Sequence, residues 1–188
     1  MEEFTKEQEE FLIRLVREVG RSELLKEKFK NYKEEADKLN LNISCGGCFV
    51  TYHLKGDLRG CIGCFNPTGE FHDIVKKYAR YALHDDRFDE MTIEEFEQAD
   101  IDVSMLTKPV SIKDPLKEVI PGVHGIIVSK GFRSGTYLPE VCTEANWDVK
   151  TFVTHCAKYK AGIKGDVLND PAVSWQTYKS IVAHSNKK

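Results

Sequence analysis

The sequence predicts an α+β fold built on antiparallel sheets with flanking helices. Amphipathic helical patterns come first and stand together, tight hairpins recur further on, and strands and helices nowhere alternate as βαβ units. At 188 residues the chain is long enough for one domain with a substantial core, or for two small lobes sharing a cleft.

Thr5 followed by Gln8 has the form of a capping box, in which each side chain satisfies an amide of the other's turn. Phe11, Leu12, Leu15, Val16 and Val19 then recur at helical spacing, with Gly20 as the expected stop. A second amphipathic helix is expected from Ser22 to about Leu39, its lysines and glutamates forming a solvated face. Gly47 to Leu54 is rich in aromatic and β-branched residues, and with Lys55-Gly56-Asp57 and Leu58 to Ile62 it reads as a β-hairpin. Asn66-Pro67-Thr68-Gly69 is a loop, and Ile74, Val75, Tyr78, Ala79 and Ala82 mark a helix ending near His84. Thr92 with Glu95 caps a short helix, and Asp100 to Leu106 alternates as a half-buried strand does. Pro109 to Pro121 holds a short extended piece. Val123–Val128 and Phe132–Leu138 flank Lys130-Gly131 as a second hairpin, which Pro139 ends. Asp148 caps a helix through Phe152, Cys156 and Tyr159, ended by Gly162 and Gly165. Pro171 to about Val182 reads as strand with helix left open, and residues 185–188, including Lys187 and Lys188, form a polar tail.

Hydrophobic residues at 41% and charged residues at 30% describe an ordinary globular protein. A formal charge of −3 and a pI near 6.1 argue against nucleic acid or an anionic membrane as the main partner. No apolar run approaches the roughly 20 residues that span a bilayer, and the acidic Met1-Glu2-Glu3-Phe4-Thr5 is no secretory signal. The expected location is cytoplasmic or nuclear. Phosphate loops, dinucleotide glycine fingerprints and His-Glu-x-x-His helices are absent, and no cofactor is expected.

Chemistry concentrates in Leu58-Arg59-Gly60-Cys61-Ile62-Gly63-Cys64. In an extended strand Arg59 and Cys61 share a face, and a guanidinium beside a thiol favours the thiolate. Gly60 and Gly63 let a ligand or another backbone approach closely. Four of the six cysteines form two C-x-x-C pairs, Cys45–Cys48 and Cys61–Cys64, separated by twelve residues. Four thiolates can close a tetrahedral zinc site. Regular strands, however, point the members of each pair to opposite faces, which favours small buried thiols instead.

These residues closely resemble the signature of the AMMECR domain family. Further stretches resemble it in the same order: Gly47-Cys48-Phe49-Val50-Thr51, Asp86-Arg87-Phe88, Met91-Thr92, Asp102 to Thr107, Gly122 to Ile126 and Thr136 to Val141. The resemblance implies two unequal lobes around a cleft lined by the signature, and it brings no settled activity with it. Relatives of the family that occur beside Memo-type and radical-SAM proteins imply, by association, partners in a redox or modification pathway. Cys64 departs from the family pattern, and Cys45 and Cys48 look peculiar to this chain.

The enzymatic expectation is a nucleophilic Cys61 with His124, flanked by glycines, as base and Glu140, after Leu138-Pro139, as orienting carboxylate. The binding expectation is a small molecule or anionic ligand held by Arg59, Gly60, Gly63 and Arg87, since arginine grips carboxylate or phosphate with paired hydrogen bonds. For Arg87 a salt bridge with Asp85, Asp86 or Asp89 is the structural alternative. A non-enzymatic adaptor for protein partners and a zinc-stabilised regulator are the remaining alternatives.

Overall fold

The computed structural model describes residues 3–185. Among these residues the chain forms seven α-helices and two four-stranded antiparallel sheets, in the α+β class. In chain order the elements are α1 (Lys6–Leu25), α2 (Lys33–Lys38), β1 (Gly47–Leu54), β2 (Asp57–Phe65), α3 (Phe71–Leu83), α4 (Ile93–Gln98), β3 (Asp100–Leu106), β4 (Val110–Ile112), α5 (Pro115–Glu118), β5 (Gly125–Lys130), β6 (Arg133–Tyr137), α6 (Pro139–Glu144), α7 (Val149–His155), β7 (Ser174–Tyr178) and β8 (Ser180–His184). They divide into two compact units, the chain up to Leu106 with the segment from Ile181, and Thr107–Ser180.

The first unit lays α1 and α3 on one face of a sheet ordered β2-β1-β3-β8. Phe11, Leu12, Leu15, Val16 and Val19 of α1 are buried, as are Phe71, Ile74, Val75, Ala79 and Ala82 of α3. They meet Val50, Tyr52, Ile101 and Val103 from the sheet, and each large side chain so removed from water contributes about 1.5–3 kcal/mol. The Tyr52 hydroxyl, deep in this core, donates to the Ala79 carbonyl at 2.8 Å. Both expected capping boxes form, Thr5 with Gln8 and Thr92 with Glu95.

Two expectations for the helices fail. Gly20 does not stop α1, which runs on to Leu25 and closes on Lys26 in the left-handed conformation. A Cβ at Gly20 would lie 2.1 Å from the Phe96 ring, so the glycine is a seat for that ring rather than a terminator. The expected helix from Ser22 to Leu39 is broken: its start belongs to α1 and only Lys33–Lys38 is helical near its end. Between them, the Phe29 and Tyr32 rings pack in a tilted pair with centroids 5.6 Å apart, with Tyr32 also against Phe11. Tertiary packing of two aromatics overrides a weak helical preference.

The second unit orders its sheet β4-β7-β5-β6. Helix α7, capped by Asp148, widens into a π-turn over Cys156–Lys160. Its Phe152, Val153, Cys156 and Ala157 share a core with Ile126, Val128 and Trp175. The second hairpin starts at Gly125, two residues later than expected, and the Pro171–Val182 stretch resolves into β7 and β8, which join different sheets. Of the expected polar tail only Ser185 is described, and its hydroxyl accepts the Ile101 amide at 2.8 Å. Asn186 to Lys188, like Met1 and Glu2, lie outside the described residues. No helix among the described residues is long and apolar enough to cross a membrane.

The Gly20 contact sets two effects against each other. Alanine improves helix propensity by about 1 kcal/mol, whereas overpacking against a fully buried ring costs about 1–3 kcal/mol. Gly20→Ala is expected to lower stability in urea unfolding, while a gain would show that Phe96 does not hold α1.

Candidate functional site

The signature strand β2 lies at the edge of its sheet, with β1 its one strand partner among the described residues. The register pairs Thr51 with Cys61 and Tyr52 with Gly60, then slips so that His53 faces Leu58. Arg59 is therefore the extra residue of a β-bulge. The bulge interrupts the alternation that would put Arg59 and Cys61 on one face. Arg59 instead forks onto Glu95, with Nη2 at 2.8 Å and Nε at 3.3 Å, and donates to the Glu90 carbonyl. The recess beside it is lined by Asp89, Glu90 and Glu95, so an anion gains nothing there. Arg59 ties the bulge to the start of α4.

The guanidinium next to Cys61 belongs to Arg87. Cys61 donates its amide to Asp85 Oδ2 at 2.8 Å, and its carbonyl accepts from Arg87 Nη2 at 3.0 Å. Both backbone groups of Cys61 thus point away from β1, and Asp85 with Arg87 satisfies them as a neighbouring strand would. Arg87 also forks onto Asp85, at 2.6 and 2.9 Å, and gives it a backbone amide at 3.2 Å. The Asp85 side chain is about 1% exposed. The Arg87 hydrogen bonds, joined by the Cys61 amide, hold its carboxyl well below the usual carboxylate range. The salt bridge foreseen as the structural alternative for Arg87 is the one the structure shows.

Because the Cys61 backbone faces outward, Thr51 and Cys61 form the close, non-hydrogen-bonded kind of antiparallel pair. Their side chains meet: Thr51 Oγ1 donates to Cys61 Sγ at 3.1 Å. Thr51 also faces Asp102 across β1 and β3. Asp102 is bracketed by two imidazoles, His53 Nε2 at 3.3 Å and His184 Nδ1 at 2.7 Å. A thiol, a hydroxyl, a carboxylate and two histidines therefore share the sheet face opposite the helices. Sequence reading missed Asp102, His53 and His184. The alternation in each strand was legible, but the register that sets Thr51 between Cys61 and Asp102 was not.

The signature glycines are sites of close packing. A Cβ on Gly60 would lie 2.3 Å from the Ala82 carbonyl oxygen, and one on Gly63 would lie 2.2 Å from that of Cys48. Of the two approaches expected, that of another backbone is the one observed.

The four cysteines separate as strand alternation requires. Cys48 faces Cys64 across the hairpin on the core side, while Cys61 lies on the other face. Burial pushes the Cys45 and Cys48 thiols up. The Cys64–Tyr78 hydrogen bond, with burial, pushes the Tyr78 hydroxyl up to about 12. Among the described residues, one trio of ligating side chains comes within reach of a shared ion, Glu70, His72 and Asp73, and it includes no cysteine.

His124 and Glu140 belong to the second unit and Cys61 to the first, so neither unit on its own assembles the expected trio. His124 Nδ1 lies 3.2 Å from the Glu118 carbonyl and 3.3 Å from the Ile120 amide, closing the turn after α5. Glu140 is exposed in the first turn of α6, yet the protein crowding its carboxyl raises its proton affinity, with Glu144 adding to the effect.

The depressed Asp85 carboxyl fixes a sign. Its contribution to stability is fully present above the ordinary carboxylate range, near pH 4, and is lost as pH falls through its lower folded value. Asp85→Asn is expected to cost roughly 1–3 kcal/mol at neutral pH and to flatten the acid limb of the stability profile. An unchanged acid limb in urea titrations would contradict this.

The AMMECR1 family model matches residues 13–183. A Methanopyrus kandleri protein is 37% identical over 174 residues, covering 88% of this chain and 82% of its own. A Methanothermobacter thermautotrophicus protein is 34% identical over 146 residues, covering 74% and 76%. The crystal structure of the uncharacterized protein PH0010 from Pyrococcus horikoshii superposes with a TM-score of 0.76 at 30% identity, covering 95% of this chain and 92% of that one. These relatives are archaeal, and archaea have no nucleus, so the nuclear alternative finds no support among them. From the matched signature to the shared fold, the chain belongs to the AMMECR1 family, whose members named here carry no assigned function.

Proposed function

We propose that the protein binds a small polar molecule or a modified residue on the outer face of its first sheet, with Cys61 as the reactive group. The observation that carries this reading is the cross-strand row Cys61–Thr51–Asp102 with His53 and His184 at its end. Two strand spacings separate the thiol from the carboxylate, so a ligand of roughly 10 Å reaches both. The Thr51 hydroxyl donates to sulfur and the Arg87 guanidinium donates to the Cys61 carbonyl, so the thiol sits among polar groups that orient it. The Asp102 carboxylate between two imidazoles adds hydrogen-bonding groups to the same face. Arg59 and Arg87 are both matched to carboxylates, which favours a polar or thiol-reactive ligand over a simple anion. A Memo-type or radical-SAM partner, as the family association suggests, would supply or receive such a molecule.

Alkylation of each cysteine, followed by mass spectrometry against pH, tests the reading. Cys61 is expected to react faster at neutral pH than buried Cys48, Cys142 and Cys156, and Thr51→Val is expected to slow it several-fold. A Cys61 as inert as Cys156, whose thiol burial pushes up to about 12, would remove the thiol from the proposal.

A further inference from the structure

The first unit holds a second cluster that the signature does not touch. At the start of α3, His72 is fully buried, and neither ring nitrogen has a hydrogen-bond partner among the described residues. A buried polar group left unpaired is destabilising. The imidazole is aimed at two carboxylates, with Nδ1 3.7 Å from Glu70 Oε2 and Nε2 3.5 Å from Asp73 Oδ1. Both distances are too long for hydrogen bonds. One ligating atom from each of the three residues lies within 4.8 Å of the others. Ligands about 2.0–2.2 Å from a tetrahedral ion lie roughly 3.4 Å apart, so the two carboxylate side chains must swing inward by about an ångström onto a single ring nitrogen to complete the set.

We propose that Glu70, His72 and Asp73 bind one divalent first-row transition ion of the zinc class. Two carboxylate oxygens and one imidazole nitrogen suit such an ion and leave a coordination position for water or another ligand. The positive end of a helix ordinarily repels a cation. Here the first amides of α3 are already engaged: Phe71 donates to the Ile43 carbonyl at 2.9 Å, His72 to that of Leu41 at 3.4 Å and Asp73 to that of Glu70 at 3.0 Å. Two ammonium groups now sit on the same carboxylate oxygens, Lys33 Nζ on Glu70 Oε2 at 3.2 Å and Lys76 Nζ on Asp73 Oδ1 at 2.5 Å. They mark where positive charge is favourable, and an ion displaces them. Lys33, 54% exposed, turns into solvent, and Lys76 has the Phe29 ring face as a second seat.

Calorimetric titration of the full, reduced chain with zinc alone tests this, together with the absorption spectrum of the cobalt(II) form. One equivalent is expected to bind. Asp73→Asn, at an exposed position, and His72→Gln should each weaken binding by roughly tenfold or more, with circular dichroism confirming the fold. Lys33→Ala should tighten binding, because it removes the competing ammonium. Absence of saturable binding would overturn the proposal. So would affinity unchanged in Asp73→Asn, or thiolate-to-cobalt charge transfer, which would assign the ion to cysteines.

Discussion

The first unit depends on how one open strand edge is closed. Cys61 lies on an edge strand with its amide and carbonyl turned outward, and Asp85 and Arg87 supply the acceptor and donor that a further strand would have supplied. An unpaired edge is a template for aggregation and a source of local fraying. A buried carboxylate gripped by a guanidinium is rigid, polar and fixed in orientation, so it holds the strand where a mobile loop would not. Because those backbone groups face outward, Thr51 and Cys61 form the close kind of pair, and hydroxyl meets sulfur. The Thr51–Cys61 side-chain contact is thus a consequence of backbone satisfaction on the far side of the strand.

Arg59 shows how one extra residue redistributes roles. Had β2 been regular, the arginine two residues before the cysteine would have shared its face. The bulge turns Arg59 to Glu95 at the start of α4, and the charge beside Cys61 comes from Arg87 in the loop after α3. Gly60 and Gly63 complete the design by admitting the Ala82 and Cys48 carbonyls at distances no Cβ permits. In this molecule most of the signature is a packing device that presents one side chain.

Much of the fold was legible in the sequence, because it rests on local patterns. Both capping boxes, the hairpin expected over Gly47 to Ile62, the alternating Asp100–Leu106 strand and the Asp148 cap follow from residue types at fixed offsets. The failures were tertiary. Gly20 carries the usual mark of a helix end, but the Phe96 ring explains it, and that ring lies far along the chain. Of the candidate site, only Cys61 was legible. Its companions Asp102, His53 and His184 come from β1, β3 and β8, and strand order and register are not written in any one segment. His72 was equally hidden, since its burial and lack of partners exist only once α3 is packed.

Native-state hydrogen exchange at the Cys61 amide tests the central claim most directly. If Asp85 closes the edge, this amide exchanges slowly although no strand pairs with it, and Asp85→Ala brings it to the rate of an open edge while the Tyr52 core stays protected. Fast exchange at Cys61 in the unaltered protein, or slow exchange that survives Asp85→Ala, would contradict the claim that the Asp85–Arg87 pair holds the signature strand.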